Sequence, residues 1–238
     1  MRRASLLAVL LLAACARGHV TPVAAAPAAG TPVPVRVLVT DFTVSPGAVH
    51  LDSGITAQLI RSGSSAGAQQ ERQTAAQATQ AALRRTLVAK LKSYGLPAEY
   101  LPPGYAPPPR SAVVRGHILA INEGNRTRRT VVGLGAGKSS VTGDAQMTYV
   151  GAGGTMFLAA FSGSADSGRM PGAAETMGVG AAAGILGTAT AATGVTHAVA
   201  ETRRTTNEAN ADQLADALAQ QIADYAAAQG WIARGAVH

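Results

Sequence analysis

The glycine-rich stretch 133–137 is the part of the sequence that comes nearest to a phosphate-binding loop. Lys138 and Ser139 follow it, but a valine stands at position 132, where the motif requires a glycine. The motif also requires a helix directly after the loop, whereas residues 139–150 alternate as a strand does. A dinucleotide fingerprint fails too, because Lys138 takes the place of its third glycine. We interpret the stretch as a turn between two strands and keep as candidate interaction residues Gly133, Gly135 and Gly137.

Asp41 and His117 are the two residues that most resemble an acid–base pair. Asp41 ends a predicted first strand and His117 lies in a later one, but aspartates at strand ends commonly cap turns. No serine stands in a recognisable nucleophile motif. The 5 histidines show no ligand spacing and Cys15 is the only cysteine, so the sequence predicts no metal site. We expect no catalytic residue, no cofactor and no enzyme activity.

Three arginines near the middle of the chain form a second candidate site. Arg126, Arg128 and Arg129 follow a Glu-Gly-Asn turn signal. Guanidinium groups at this spacing suit an anionic ligand or a lipid headgroup. The alternative is a solvated turn and strand edge.

The first 15 residues carry the clearest functional pattern. Arg2 and Arg3 precede an apolar run over residues 4–14 that is interrupted only by Ser5, and Cys15 follows Leu-Ala-Ala. This is the arrangement of a secretory signal with a small-residue cleavage site. A membrane-spanning helix needs about 20 apolar residues, and this run is roughly half that length before Arg17.

Residues 12–15 resemble a bacterial lipobox, in which the cysteine receives a diacylglycerol and becomes the first residue of the mature protein. The resemblance implies removal of residues 1–14 and attachment to the lipid bilayer through Cys15. A cysteine without an intramolecular partner is consistent with acylation. Since Ala16 stands where an aspartate would favour inner-membrane retention, we expect a periplasm-facing protein on the outer membrane.

Charge and composition argue against nucleic-acid binding. The formal net charge of +7 falls to +5 when Arg2 and Arg3 leave with the signal, and aromatic residues make up only 4% of the chain. Single-stranded nucleic acids usually bind a continuous basic groove with stacking aromatic side chains. A mildly basic surface near anionic lipid fits this composition better.

After the signal, the sequence predicts a tether and then one domain over residues 35–238. Residues 15–34 are rich in alanine and proline and lack periodicity, which predicts a flexible tether. A helix is predicted over 69–94, with Leu83, Leu87 and Leu91 on its buried stripe. A second is predicted over 210–229, with Asn210 and Gln213 resembling a capping box.

Between the helices, alternating segments predict strands over 111–122, 128–134, 138–150 and 154–164, in addition to a first strand over 35–42. The proline-rich run 97–110 is predicted as a loop. The fold class expected is therefore α+β, with a mostly antiparallel sheet of about four to five strands and two long helices packed on one face.

Residues 172–199 are predicted to form a Gly/Ala-rich insertion. No charged residue occurs from Thr176 to Ala200. Glycines at small-residue spacing allow two helices to approach closely in an oligomer or a membrane, and the candidates for such a contact are Gly180, Gly184 and Gly187. A loosely helical insertion is the alternative interpretation, because glycine weakens a helix by about 1 kcal/mol per residue relative to alanine.

The segment 115–126, followed by Arg129 and by 132–137, resembles a bacterial lipoprotein family called domain of unknown function 4410. The resemblance extends over roughly 35–231. Residues 37–42 and the last helix are similar to the periplasmic domain of curli-secretion lipoproteins and to the N-terminal domain of the TolB protein. These resemblances imply a compact α+β domain and bring no catalytic residues.

The sequence therefore predicts a membrane-anchored periplasmic lipoprotein with a structural or interaction role in envelope assembly or secretion. Its expected partners are the bilayer, through Cys15, and envelope proteins. One alternative is an oligomeric, pore-type or membrane-inserting component that uses 172–199. Another is a small-ligand or envelope-polymer binding module with a concave pocket near 133–137.

Overall fold

The computed structural model describes residues 18–26, 32–45, 47–54, 65–125, 137–168 and 194–233. In these ranges the chain forms one mixed 8-stranded sheet and two long helices that pack together and against the sheet. The strands are β1 (Gly18–Ala25), β2 (Arg36–Val39), β3 (Thr43–Val44), β4 (Val49–His50), β5 (Ala98–Tyr100), β6 (Ser111–Asn122), β7 (Ser140–Gly151) and β8 (Gly154–Asp166). The helices are α1 (Ser65–Ser93) and α2 (Gly194–Ala228). The α+β class is confirmed.

The expectation of a mostly antiparallel sheet of four to five strands is wrong. The strand order is β1-β8-β7-β6-β2-β5, with β3 and β4 also paired to β6. The β1–β8, β8–β7 and β7–β6 pairs are antiparallel, whereas β2, β3 and β4 run parallel to β6, and β5 runs parallel to β2. Parallel neighbours need a crossover connection, and α1 supplies it between β4 and β5.

The interpretation of 15–34 as a tether does not hold for Gly18–Ala25, which is the edge strand β1. Val20 is its one buried side chain, and the rest of the strand is mostly exposed. A strand with so few buried positions and a proline at position 22 shows no clear alternation in sequence. Pairing with β8 is what stabilises it.

The predicted first strand over 35–42 consists of β2, and β3 and β4 follow it as separate short strands. Together they pair in turn along the length of β6. The predicted loop over 97–110 contains β5 at its start. Strands of two to four residues lie below the length at which periodicity can be recognised, so only pairing with a long neighbour reveals them.

Both helices are longer at their N-termini than predicted. The stripe of α1 is confirmed, since Leu83, Leu87 and Leu91 are all fully buried. Gly95 ends α1 with a φ of 83°, and the amide of Leu96 donates to the carbonyl of Leu91, as in a Schellman motif. Gly230 closes α2 in the same way, with a φ of 75°.

The capping box proposed at Asn210 is wrong, because α2 already begins at Gly194. Asn210 lies inside the helix, where its side-chain amide donates to the Ser139 hydroxyl at 2.9 Å. Both side chains are buried. The polar residue that resembled a helix start therefore ties α2 to the segment before β7. Residues 194–199, expected in the insertion, form the first turns of α2, and 169–193 lie outside the described residues.

The two faces of the sheet differ. The helix face carries the buried side chains of the core, including Val37, Val114 and Met147. The opposite face, which we call the open face, carries no helix of the described chain. Side chains on this face include Arg115, His117 and Gln146.

The strands begin and end along two opposite sides of the sheet. We call these two sides edges, as distinct from the outer strands β1 and β5. Gly18 pairs with Ala165, Ser140 with Asp166, and Ser140 also with Asn122. We call this the turn edge, since β1 begins, β6 ends, β7 begins and β8 ends there. At the far edge lie the β7–β8 hairpin around 151–154 and the start of β6.

The helices run parallel to each other. Thr86 donates to Asp212 at 2.5 Å, and one turn later Lys90 pairs with Asp216 at 3.3 Å. Arg72, in the first half of α1, lies beside His50 near the turn edge. Both helices therefore begin on the turn-edge side. Neither described helix is long and apolar enough for a membrane span.

Candidate functional site

A cleft of about 710 Å³ opens at the turn edge of the sheet. The turns after β4 and β6 line one part of it, and the N-terminal half of α1 lines another. Its polar lining comprises His50, Asp52, Ser53, Arg72, Asn122, Asn125 and Lys138, and Gly124 and Gly137 contribute backbone. We refer to it as the turn-edge cleft.

Hydrogen bonds from backbone amides fix the conformation of the turn after β6. The amide of Asn125 donates to the carbonyl of Gly137 at 2.9 Å, and that of Gly124 donates to the Asn122 side chain at 2.8 Å. Gly124 has a φ of 77°, and a Cβ there would lie 2.2 Å from the carbonyl oxygen of Gly137. Only glycine fits at such a position. The two ends of the 125–137 connection are thus fixed beside the cleft.

Two carboxylates beneath the cleft are committed to internal hydrogen bonds. Glu123 accepts from the backbone amide of Asp52 at 3.1 Å, and Asp52 accepts from the amide of Gly54 at 2.8 Å. Both side chains are buried. Buried carboxylates need such donors, so this pair stabilises the loop after β4 and shapes the floor of the cleft.

Lys138 and Asp166 form an ion pair of 2.6 Å across the start of β7 and the end of β8. The Lys138 ammonium lowers the pKa of Asp166 from its ordinary value of 3.8, and a hydrogen bond from the amide of Gly168 acts in the same direction. The remaining cleft lining, with an exposed Arg72 and His50, offers donors for a polar or anionic ligand.

A second, smaller groove of about 480 Å³ lies on the open face. Its polar lining comprises Arg115, His117, Asp144, Gln146 and Ser162, and Val23 of β1 forms an apolar wall. His117 lies directly across from Asp144, which in turn lies across from Ser162. One carboxylate oxygen of Asp144 is buried without a hydrogen-bond partner. We refer to this as the open-face groove.

Asp41 and His117 are not brought together as an acid–base pair. The Asp41 carboxylate accepts from Arg84 of α1 and from the phenol of Tyr100 at 2.6 Å. The Arg84 guanidinium also lies 4.2 Å from the centre of the Tyr100 ring. His117 Nδ1 instead lies 2.5 Å from the hydroxyl of Thr43.

The hydrogen bond to the Asp41 carboxylate is the main cause of a raised pKa at Tyr100, whose ordinary value is 10.0. Arg84 opposes this effect through its positive charge. The three side chains occupy the ends of β2 and β5 and one face of α1, so they fasten the helix to the parallel part of the sheet.

The family model described as domain of unknown function (DUF4410) matches residues 37–184 of this chain. That range is more than half of the sequence. The chain belongs to the DUF4410 family. The match contains α1 and strands β3–β8 together with nearly all of β2, whereas β1 and α2 lie outside it. The family thus corresponds to strands β2–β8 and the crossover helix α1.

Two solved structures are similar to this DUF4410 chain. A PelC dodecamer from Paraburkholderia phytofirmans has 11% sequence identity and a TM-score of 0.36, with 84% of this chain and 96% of that chain covered. A point variant of that dodecamer has 12% identity and a TM-score of 0.34, with 83% and 96% covered. No curated protein matches the chain.

Of the candidate residues that the sequence of this DUF4410 protein indicates, Gly137 is in the turn-edge cleft. The others lie outside the described residues: Cys15, Arg126, Arg128, Arg129, Gly133, Gly135, Gly180, Gly184 and Gly187. The oligomeric alternative, which depends on 172–199, therefore stays a prediction. Among described residues, no group of histidines and carboxylates has the geometry of a metal site.

The polar side chains of the cleft lining were not among the candidate site residues predicted from the sequence. Three of them are His50, Asp52 and Arg72. They come from β4, from the loop after it and from α1, so no spacing in sequence relates them to Gly137. The signal that could have pointed to them is topological. The turns after strands that end at the same edge of a sheet lie side by side. Placing the turn after β4 beside the turn after β6 would have required knowing that these two strands pair in parallel.

Proposed function

We propose that this DUF4410 protein is a lipoprotein of the outer membrane that faces the periplasm and acts by binding other envelope components, as a structural or interaction part of envelope assembly or secretion. The observation that carries the proposal is the Leu-Ala-Ala-Cys sequence at 12–15, after two arginines and an apolar run. An acylated Cys15 holds the protein at a leaflet, since each buried CH₂ contributes about 0.8 kcal/mol.

The open face of the sheet supports a role in binding. A sheet packed by helices on one side leaves the other available, and here it carries the open-face groove with Arg115, His117 and Gln146. Leu119 and Phe157, both more than one-third exposed, add apolar area on the same sheet. Mixed apolar and polar surfaces of this kind are typical of non-obligate protein interfaces.

Attachment is tested with the full-length protein and a Cys15→Ser variant. We expect the parent to incorporate radiolabelled palmitate, to accumulate as a precursor under globomycin and to sediment with membranes. The variant should do none of these. Because the chain has one cysteine, the label reports on Cys15 alone. A Cys15→Ser protein that still fractionates with membranes would overturn the anchor.

Binding through the open face is tested by photo-crosslinking in cells. A crosslinking residue replaces Gln146, which is exposed in the open-face groove, or Gln77, which is exposed on α1. We expect a discrete adduct at Gln146 that a second substitution, Arg115→Ala, weakens. Equal yields of the same adduct at Gln77 would count against the open face as the binding surface.

A second candidate function, a small-ligand or envelope-polymer binding module, is favoured by the turn-edge cleft next to Gly137. Calorimetry with inorganic phosphate and with soluble envelope-polymer fragments tests it on the acyl-free chain. An Arg72→Ala variant should lose any heat of binding, and Lys92→Ala, an exposed lysine in the last turn of α1, should retain it. No heat with either probe would remove this candidate.

A further inference from the structure

Asp144 of β7 has a carboxylate that no described residue of the chain compensates. One of its oxygens is buried without a hydrogen-bond partner, and none of the ion pairs among the described residues includes it. Asp41 and Asp166, by contrast, each accept from a cationic side chain. Removing part of a charge from water is unfavourable unless a donor or an opposite charge replaces the water, so Asp144 is suited to a donor from outside the chain.

We propose that the open-face groove receives a lysine or arginine side chain of the protein partner, with its cationic group paired to the Asp144 carboxylate. The inference rests on the proposed binding through the open face and adds the chemistry of the partner at that face. The groove is accessible, since Arg115, His117 and Gln146 around Asp144 are all exposed. Asp144 itself is partly exposed, so an incoming cation can contact its carboxylate.

The ring of His117 is directed away from Asp144. The two residues lie directly across from each other on β6 and β7, but Nδ1 of His117 lies 2.5 Å from the hydroxyl of Thr43. Thr43 belongs to β3, which pairs with the side of β6 opposite to β7. This hydrogen bond therefore draws the ring towards β3.

Arg115 does not neutralise Asp144 either. It lies across from Gln146, and its guanidinium donates to the Thr148 hydroxyl at 3.5 Å. On β7, Thr148 follows Gln146 by two residues, whereas Asp144 precedes it by two. The guanidinium is therefore displaced from Asp144 along β7, towards the far edge.

The wall of the groove suits the aliphatic part of a basic side chain. Val23, which is 66% exposed, forms its apolar side together with Ala160. Lysine and arginine pack their methylene groups along such surfaces while the charged end reaches polar partners. Ser162, directly across from Asp144 on β8, adds a hydroxyl that can accept a hydrogen bond from the same charged end. A short hydroxyl donor would leave the apolar wall uncovered.

Asp144 and Arg115 together define the charge pattern of the partner. Asp144 and Thr148, where the Arg115 guanidinium lies, are four residues apart on β7, or about 13 Å at the rise of a strand. A partner with a basic side chain opposite Asp144 therefore has room for a carboxylate or another acceptor opposite Arg115. Opposite charges at a fixed separation determine the orientation in which two surfaces pair.

The pairing is tested by photo-crosslinking in cells with the full-length protein, using the crosslinking residue at position 146. Asp144→Asn removes the charge but keeps the size and an acceptor oxygen. We expect the yield of the adduct to fall about tenfold, the loss expected for a hydrogen bond to a charged group. Asp224→Asn is the matched control, since Asp224 is exposed on α2, and it should leave the yield unchanged.

Mass spectrometry of the adduct identifies the partner peptide. We expect a lysine or arginine close to the attachment site. Its replacement by glutamate should abolish the adduct with the otherwise unchanged protein, and Asp144→Lys should restore it. Equal amounts of each variant in the membrane fraction control for folding, and Asp144→Ser is a second uncharged variant if Asp144→Asn accumulates poorly.

An adduct of unchanged yield in Asp144→Asn, or a partner peptide without a basic residue near the attachment site, would overturn the pairing with Asp144 while leaving binding at the open face intact. Absence of an adduct at position 146 in the otherwise unchanged protein, or the same adduct in equal yield at Gln77, would overturn binding through the open face and the pairing with it. The two failures are therefore distinguishable in one experiment.

Discussion

Asp41 resembles a catalytic residue in the sequence, but its contacts in the fold are structural. Its carboxylate accepts hydrogen bonds from Arg84 and Tyr100, and Arg84 also stacks on the Tyr100 ring. An ion pair with about one-third of each side chain exposed contributes little on its own. Its value is geometric, because it joins β2, β5 and α1 at one point.

The Asp41–Tyr100 hydrogen bond predicts a pH dependence. A phenol whose pKa is raised in the folded state stays protonated longer than in the unfolded chain, so its contribution to stability is present below pH 10.0 and is lost as pH rises through the higher folded value. Asp41→Asn should move the pKa of Tyr100 back towards its ordinary value. Absorbance at 295 nm, taken as a difference from Tyr100→Phe, measures it.

Glu99→Gln is the matched control, since Glu99 neighbours Tyr100 but pairs with Arg36 at 3.7 Å. It should leave the phenol titration unchanged. An unaltered titration in Asp41→Asn would show that the hydrogen bond does not set the pKa of Tyr100.

Replacing Gly18 by alanine should cause a strong steric clash, because it adds a methyl group where there is no room for one. A Cβ at this position meets the backbone of Gln213 at 2.2 Å, and a backbone atom of a helix cannot move aside cheaply. Overpacking of this kind costs typically about 1–3 kcal/mol. Gly18→Ala should lower the free energy of unfolding by this amount, as measured by urea denaturation.

Gly153→Ala is the control for Gly18→Ala, because nothing lies within 4 Å of a Cβ at that position. Its effect should stay within about 0.5 kcal/mol. Similar stabilities for the two variants would mean that β1 does not pack against α2 as described.

At the scale of elements, α1 is held by its leucine stripe. Leu83, Leu87 and Leu91 are fully buried in the core shared with α2 and the sheet, whereas residues 66–74 are mostly exposed. The stabilising contacts of α1 are thus concentrated in its C-terminal half. The N-terminal half is free to line the turn-edge cleft.

Leu87→Ala should therefore lower the free energy of unfolding by about 2–5 kcal/mol, the range for a leucine removed from a packed core. Leu119→Ala is the matched control, since Leu119 is 43% exposed on the open face, and its cost should be below about 1 kcal/mol. Urea denaturation of both variants provides the comparison. Equal losses would place Leu87 outside the core.

At the scale of the whole molecule, β1 decides which strand forms the outer edge of the sheet. It covers the outer side of β8 and contributes Val20 to the core. A long strand left unpaired at an edge is a template for association. The domain therefore includes residues that lie before the DUF4410 match.

A secreted, acyl-free chain over 16–238 should be stable and well behaved, and one over 32–238 should unfold at a lower temperature and self-associate. The physical reason is that the shorter chain exposes the edge of β8 and the site of Val20. Thermal unfolding and size-exclusion chromatography with light scattering compare them. Identical melting temperatures would restore the interpretation of 15–34 as a tether.

The sequence alone determined the parts of the fold whose signals are local. The stripe of α1, the glycines that end both helices and the long strands β6, β7 and β8 follow from periodicity and chain conformation over neighbouring residues. The segment over 111–122 was predicted with the bounds that β6 has. The family, too, could be identified from residues in and after β6.

Only the tertiary structure decided the strands β1, β3, β4 and β5, the parallel direction of half the sheet and the residues of the turn-edge cleft. These strands are too short or too exposed to show alternation, and they exist because β6 and β8 offer them partners. Asn210 in α2 likewise depends on a residue distant in sequence, since its buried side chain donates a hydrogen bond to Ser139. Contacts between residues distant in sequence leave no local pattern, and the position of β1 beside β8 depends on such contacts.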